Sequence, residues 1–302
     1  MVDEGVRFCG IELAHPIVNA SGTFDAIAAR RAFGDALLEA FPFAAFVSKT
    51  VTLEPRGGNP PPRLFELPAG MINSIGLPNK GLAGYLEHDL PELAALPVPL
   101  IVNVMGFTRE QVAELVTAFA GRDEVAALEL NVSCPNVETG TTMGADAGET
   151  AALLDAVRPR TRKPLIVKLT PNTASPGEVA AAAQAHGADA VSLINTLKGM
   201  APHPGRPGPW LGGGTGGVSG PAVRAVALAQ VAEVRARVEL PIVGMGGVQS
   251  GRHALDLLDA GADLVAVGTE SFRDPLAAAR VARELAGLRA EIPAHAGILA
   301  VP

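Results

Sequence analysis

The chain has 302 residues, 48% of them hydrophobic and 18% charged, with 31 acidic against 24 basic side chains and a formal net charge of -7. This is ample apolar material for a packed core, and the acidic balance argues against nucleic acid or an anionic membrane as the main partner. Two cysteines, a charged N-terminus without a targeting peptide and no apolar run near the ~18 residues of a membrane span point to a reducing cytoplasm.

In chain order, the segment from Val6 to Leu13, around Gly10, reads as a small hairpin at one end of the fold. Eight short apolar runs with strand character follow: Ile17 to Ala20, Ala45 to Ser48, Leu100 to Val104, Ala127 to Asn131, Leu165 to Leu169, Ala190 to Ile194, Ile242 to Gly244 and Leu264 to Val267. Helical periodicity lies between them. Thr108 with Gln111 reads as a capping box, Ser175-Pro176-Gly177-Glu178 as an N-cap with proline and acid behind it, and Asp274-Pro275 as the start of the last long helix. Two stretches rich in proline and glycine, Glu54 to Pro78 after the second run and Met200 to Gly217 after the sixth, are expected as long functional loops, the latter containing Trp210. Continuous apolar strands alternating with crossovers predict an α/β fold, a single (β/α)8 TIM barrel that takes residues 1–302 as one domain, its floor closed by the N-terminal hairpin.

Such a barrel gathers the residues after each strand on one face. There the sequence offers Ser21 after strand one, Lys49 and Thr50 after two, Asn103 on three, Asn131 and Cys134 on four and Lys168 on five. Asn195 and Thr196 follow strand six, Gly246 and Gly247 strand seven, Gly268 and Thr269 strand eight. Two lysines, several amides and a thiol, with almost no carboxylates, suit an anion and a planar heterocycle and argue against hydrolysis by paired acids. The glycine turns Gly246-Gly247 and Gly268-Thr269, with Gly216-Gly217-Val218-Ser219-Gly220, offer bare backbone N–H groups to a phosphate. Lys168, flanked by apolar strand residues, requires a buried anionic partner, which a reduced flavin would supply; the same need is assigned to Lys49. Asn73, Asn103, Asn131 and Asn195 carry both donors and acceptors, which suits a ring with alternating C=O and N–H groups.

The hexapeptide Asn131-Val132-Ser133-Cys134-Pro135-Asn136 places a thiol at a strand end, with Pro135 stopping the strand and Cys9 the only other cysteine. Cys134 reads either as a cysteine that handles protons or as a small buried hydrophobe. The glycine-containing stretch Val137 to Gly148 behind it is expected to be a mobile lid.

These motifs, with Asn73-Ser74-Ile75-Gly76-Leu77-Pro78-Asn79, Ile194-Asn195-Thr196-Leu197-Lys198-Gly199-Met200, Gly216 to Pro221 and Pro241 to Thr269, resemble the class 1 dihydroorotate dehydrogenases over nearly the whole chain. Lys49-Thr50-Val51-Thr52-Leu53-Glu54-Pro55-Arg56 and the form of residues 195–200 are similar to the 1B branch, while Pro202-His203 and Trp210 to Gly214 depart from the family pattern. The resemblance implies oxidation of dihydroorotate to orotate in pyrimidine biosynthesis, with Cys134 as base and FMN as hydride acceptor. It maps FMN contacts onto Ser21, Lys49, Thr50, Asn103, Asn131, Lys168, Ile194, Gly220, Gly246, Gly247, Gly268 and Thr269. Substrate contacts map onto Lys49, Asn73, Ser74, Ile75, Gly76, Leu77, Asn131, Asn195 and Thr196. Two thiols are too few for an iron-sulfur cluster, which takes about four, and no Gly-x-Gly-x-x-Gly fingerprint follows a strand. The 1B resemblance therefore implies a homodimer core joined by an electron-transfer subunit that carries FAD and an iron-sulfur cluster, passes electrons to NAD and completes a heterotetramer. A 1A-type fumarate-dependent homodimer, a pyrimidine-base reductase and a phosphate-binding barrel of another class remain open at this stage.

Overall fold

A computed structural model of the chain describes residues 5–133 and 143–291. Its strands run β1 (Val6–Phe8), β2 (Ile11–Leu13), β3 (Ile17–Asn19), β4 (Phe46–Val47), β5 (Leu64–Leu67), β6 (Gly70–Asn73) and β7 (Leu100–Val104). They continue as β8 (Ala127–Asn131), β9 (Leu165–Lys168), β10 (Ala190–Leu193), β11 (Leu197–Gly199), β12 (Gly216–Ser219), β13 (Ile242–Met245) and β14 (Leu264–Val267). The eight expected apolar runs are the eight strands of one parallel sheet, ordered β3-β14-β13-β10-β9-β8-β7-β4 and wrapped by helices, and this is the expected (β/α)8 barrel. The seam between the two end strands is joined by Ala44 N–H on the Ile17 carbonyl at 2.9 Å and, above it, by a side chain. Buried Asn19 donates to the Val47 carbonyl at 2.8 Å and accepts from the Val47 N–H at 2.7 Å, so its amide continues the backbone ladder.

Period-two alternation divides each strand between two cores. Leu100, Val102 and Val104 of β7, or Leu128 and Leu130 of β8, pack outward against the helices. Ile101, Ala127, Ile166, Ala190 and Leu264 point inward, and Phe8 and Leu13 of the antiparallel β1–β2 hairpin join them, so the hairpin plugs the floor as expected. Helix starts match the sequence signals with small differences. Thr108 caps helix Arg109–Ala120 through the Gln111 N–H, but Gln111 returns its side chain to Phe107 rather than to Thr108. Ser175 precedes helix Pro176–Ala185 without a side-chain cap bond, and Asp274 accepts from the Leu276 N–H ahead of helix Ala277–Glu291.

The two proline- and glycine-rich insertions are more ordered than loops. Strands β5 and β6 from the first and β11 and β12 bracketing the second form one antiparallel sheet, ordered β11-β12-β6-β5, with Asn73 opposite Gly217. Ile72, Ala201 and Leu211 make its own small core, and the Trp210 indole donates to the Leu64 carbonyl at 3.1 Å with its ring edge-on to Phe65. The departure at Trp210 to Gly214 thus belongs to the contact between the insertions, where Gly212 N–H also meets the Pro62 carbonyl. The stretch expected as a lid lies outside the described residues up to 142. From Met143 the chain is packed instead: a 3-10 turn, Met143–Ala145, leads into helix Ala147–Val157, and Gly144 N–H bonds the Val132 carbonyl at 2.7 Å.

Candidate functional site

Two residues above the apolar floor, the inward face of the barrel turns polar. Asn103 of β7, Glu129 of β8, Lys168 of β9 and Ser192 of β10 are all buried, and they meet around one carboxylate. Glu129 accepts from Asn103 Nδ2 at 2.5 Å on one oxygen and from Ser192 Oγ at 2.7 Å on the other, and Lys168 Nζ stands 3.7 Å away. Lys168 therefore has the buried anion that its position demanded, but it is Glu129, part of the protein itself. The reading of a site with almost no carboxylates missed this residue. Its signal was the period-two row Ala127, Glu129, Asn131 inside an apolar strand. Among the described residues no acceptor lies within hydrogen-bond distance of the Lys168 ammonium, so its donors face the site unused.

Above this layer, contacts link most of the expected site residues into a rim. Asn195 donates to Asn131 Oδ1 at 3.2 Å and to Ser133 Oγ at 2.7 Å, closing the ends of β8 and β10 together. Thr196 lies against Gly217, where an added Cβ would come within 2.0 Å of its hydroxyl, and Asn73 donates to the Gly217 carbonyl at 3.2 Å. Buried Ile194 lies beside Gly246, and Gly247 adopts φ +71° against the Gly220 carbonyl. Thr269 Oγ1 donates to Ser219 Oγ at 2.9 Å, Gly268 lies by Ala20, and Ser21 Oγ bonds the Ser48 carbonyl at 2.8 Å. Among the described residues, the N–H groups of Gly246, Gly247, Gly268 and Thr269 donate to no protein carbonyl. These four donors, two of them on Gly246 and Gly247 where an added Cβ would come within 2.8 Å of a neighbouring side chain, suit an anion.

Lys49 and Thr50 behave differently from each other. Thr50 is buried, whereas Lys49 is exposed, so the argument from burial holds for Lys168 and not for Lys49. Lys49 lines a cavity of about 780 Å³ with Thr23, Phe24, Lys80, Tyr85 and Phe272, and burial pushes the Tyr85 phenol above its ordinary range. Ser74, Ile75, Gly76 and Leu77 form a turn tied to their own insertion: Asn59 donates to Ser74 Oγ at 2.9 Å, Asn59 N–H meets the Ile75 carbonyl, and Arg56 reaches the Gly76 carbonyl at 3.3 Å. Leu77 sits at φ +55°, a left-handed conformation uncommon outside glycine and concentrated at functional positions. Cys134, the expected base, lies outside the described residues. Sequence reasoning also missed Ser192 and took Ser133 and Ser219 only as members of their motifs, small hydroxyls whose hydrogen bonds appear only once their strand neighbours are known.

The family model described as dihydroorotate dehydrogenase matches residues 5–288. The chain is 45% identical over 285 residues to a protein of Citrifermentans bemidjiense, covering 94% of this chain and 92% of that one. It is 46% identical over 288 residues to one of Desulforudis audaxviator and 45% identical over 284 residues to one of a Geobacter species, with the same coverage. All three relatives are named dihydroorotate dehydrogenase B (NAD(+)), catalytic subunit. A match of this extent, on a barrel whose strand ends assemble the expected amides, lysine and glycine turns, shows that the chain belongs to the dihydroorotate dehydrogenase family.

Proposed function

We propose that this chain oxidises dihydroorotate to orotate with FMN as its cofactor and serves as the catalytic subunit of an NAD-linked enzyme of pyrimidine biosynthesis. The observation that carries the reading is the family match over residues 5–288. The donor set supports FMN: the Lys168 ammonium is buried without a hydrogen-bond acceptor among the described residues, and the turns at Gly246, Gly247, Gly268 and Thr269 hold unused N–H groups for a phosphate. Ser21, Lys49, Thr50, Asn103, Asn131, Ile194 and Gly220 complete the cofactor site in this reading. Asn73, Ser74, Ile75, Gly76, Leu77, Asn195 and Thr196, with Lys49 and Asn131, hold the pyrimidine and its carboxylate.

When bound, FMN supplies the acceptor for the hydride from C6 of the substrate. The chain's own residues bind and orient the ring and take the proton from C5, a task assigned to the Cys134 sulfur. The Asn195 amide ties Asn131 to Ser133, the residue before that cysteine, and so anchors the backbone that leads into it. An ordinary thiol has a pKa of about 8.5 and is only a few per cent thiolate at neutral pH. Turnover therefore rises with pH through the alkaline range. Electrons leave through a partner subunit that carries FAD and an iron-sulfur cluster and forms a heterotetramer with a homodimer of this chain; the relatives' name, catalytic subunit of an NAD(+) enzyme, supports this part.

The test is anaerobic reduction of the purified yellow protein. Dihydroorotate should bleach the flavin of the wild type, and Cys134→Ala should keep its flavin while bleaching roughly 10²- to 10⁴-fold more slowly. Flavin that dihydroorotate leaves oxidised in the wild type would sink the reading, and flavin lost from the variant would make Cys134 structural.

A further inference from the structure

Glu129 and Lys168 are the only charged side chains buried among the described residues, and the reaction proposed above uses the lysine alone. Burying a carboxylate is costly unless it is paired and hydrogen-bonded, so its place at the top of the barrel interior needs a reason. Both of its oxygens accept from neutral donors, Asn103 Nδ2 and Ser192 Oγ. The carboxylate therefore compensates the charge of Lys168 at 3.7 Å without occupying its donors. It also settles the orientation of an amide. An ionised carboxylate only accepts, so the Asn103 NH2 must face it, and this leaves Asn103 Oδ1 a buried acceptor with no partner.

We propose that Glu129 is a positioning residue that holds Asn103 as an open acceptor and Lys168 as a compensated cation, and thereby sets the reduction potential of the bound flavin. The proposal rests on FMN being the ligand. Reduction adds electron density to the flavin ring; the lysine favours that change and the carboxylate beneath it opposes it, so removing only the carboxylate's charge makes the flavin easier to reduce.

The experiment is dye equilibration of the FMN-loaded protein, with its visible spectrum. At a fixed dye potential Glu129→Gln should show about a tenfold higher ratio of reduced to oxidised flavin than the wild type, which is about 30 mV for a two-electron couple. Glu129→Asp, which keeps the charge, should return within about twofold of the wild type, whereas a purely structural role would lower the thermal stability of both variants without separating their potentials. Equal ratios in the wild type and Glu129→Gln overturn the proposal. If Gln at this position does not fold, Lys168→Gln is compared with the double variant, in which no buried charge is left unpaired. The single variant should hold less reduced flavin and the double should recover toward the wild type; a double variant equal to Lys168→Gln again overturns it. A wild type that takes up no FMN overturns the functional reading as well, and that result is distinct from both.

Discussion

His253 shows how a single ring records its surroundings. Its Nδ1 accepts from the Gln249 N–H at 3.3 Å on the turn between the Gly246-Gly247 cradle and helix Gly251–Asp259, which Ser250 caps. Burial, then the nearby Arg224 guanidinium, lowers its pKa below the ordinary 6.5. Because the folded value lies below the unfolded one, the unfolded state binds more protons in the window between them, so stability rises with pH there. The contribution is complete above 6.5 and is lost as pH falls through the lower folded value. Urea unfolding from about pH 7 to about pH 5 should therefore show a steeper loss for the wild type than for His253→Gln; parallel curves would remove His253 from the account. Cys9 stands at the opposite extreme: burial first, then Asp189, pushes its thiol up to about 12, so it has little thiolate with which to compete with Cys134 for a thiol reagent.

Among the elements, the barrel seam stands out. Strand β3 reaches β4 through the Asn19 amide rather than through a full ladder, and both of its bonds to Val47 are buried. Asn19→Ala leaves a buried N–H and a buried carbonyl without partners, and each such group costs about 1–3 kcal/mol. Chemical denaturation should report a loss of about 2–5 kcal/mol; a loss under ~0.5 kcal/mol would show the seam to be held by packing and the Ala44–Ile17 bond alone. At the same scale sequence legibility divides sharply. The barrel strands were readable because each carries apolar residues on both faces, interrupted only by a single polar position or two, a pattern that survives in one dimension. The upper sheet was not, because Asn73 and Gly217 are 144 positions apart and a pairing of that separation leaves no local signal. The helix starts fall between the two cases: Thr108 and Asp274 announce themselves by residue type, and whether Ser175 actually caps depends on the turn before it, where its own N–H meets Thr173 Oγ1.

For the molecule as a whole, an apolar floor lies beneath a polar upper layer of the barrel, and binding of the proposed cofactor above it should raise the stability of the fold. A ligand that binds only the folded state adds about 2.7 kcal/mol at a hundredfold excess over its Kd. Removing FMN should accordingly lower Tm by several degrees, and adding it back should restore the loss in proportion to the logarithm of its concentration; a Tm insensitive to FMN would contradict the assigned cradle. No helix among the described residues is long and apolar enough to cross a membrane.

The chain's own order of residues was enough to determine the eight-stranded barrel, the hairpin at its floor and the strand ends from which Asn103, Asn131, Lys168, Asn195 and the glycine turns project. Each of these follows from a local periodicity or a local backbone requirement. Only the tertiary structure decided that Lys168 faces Glu129 while Lys49 faces solvent, that two insertions build one sheet and that Asn19 joins the first strand to the second. Those outcomes depend on which distant side chains share a low-dielectric interior, and burial, unlike periodicity, is a property of the closed fold.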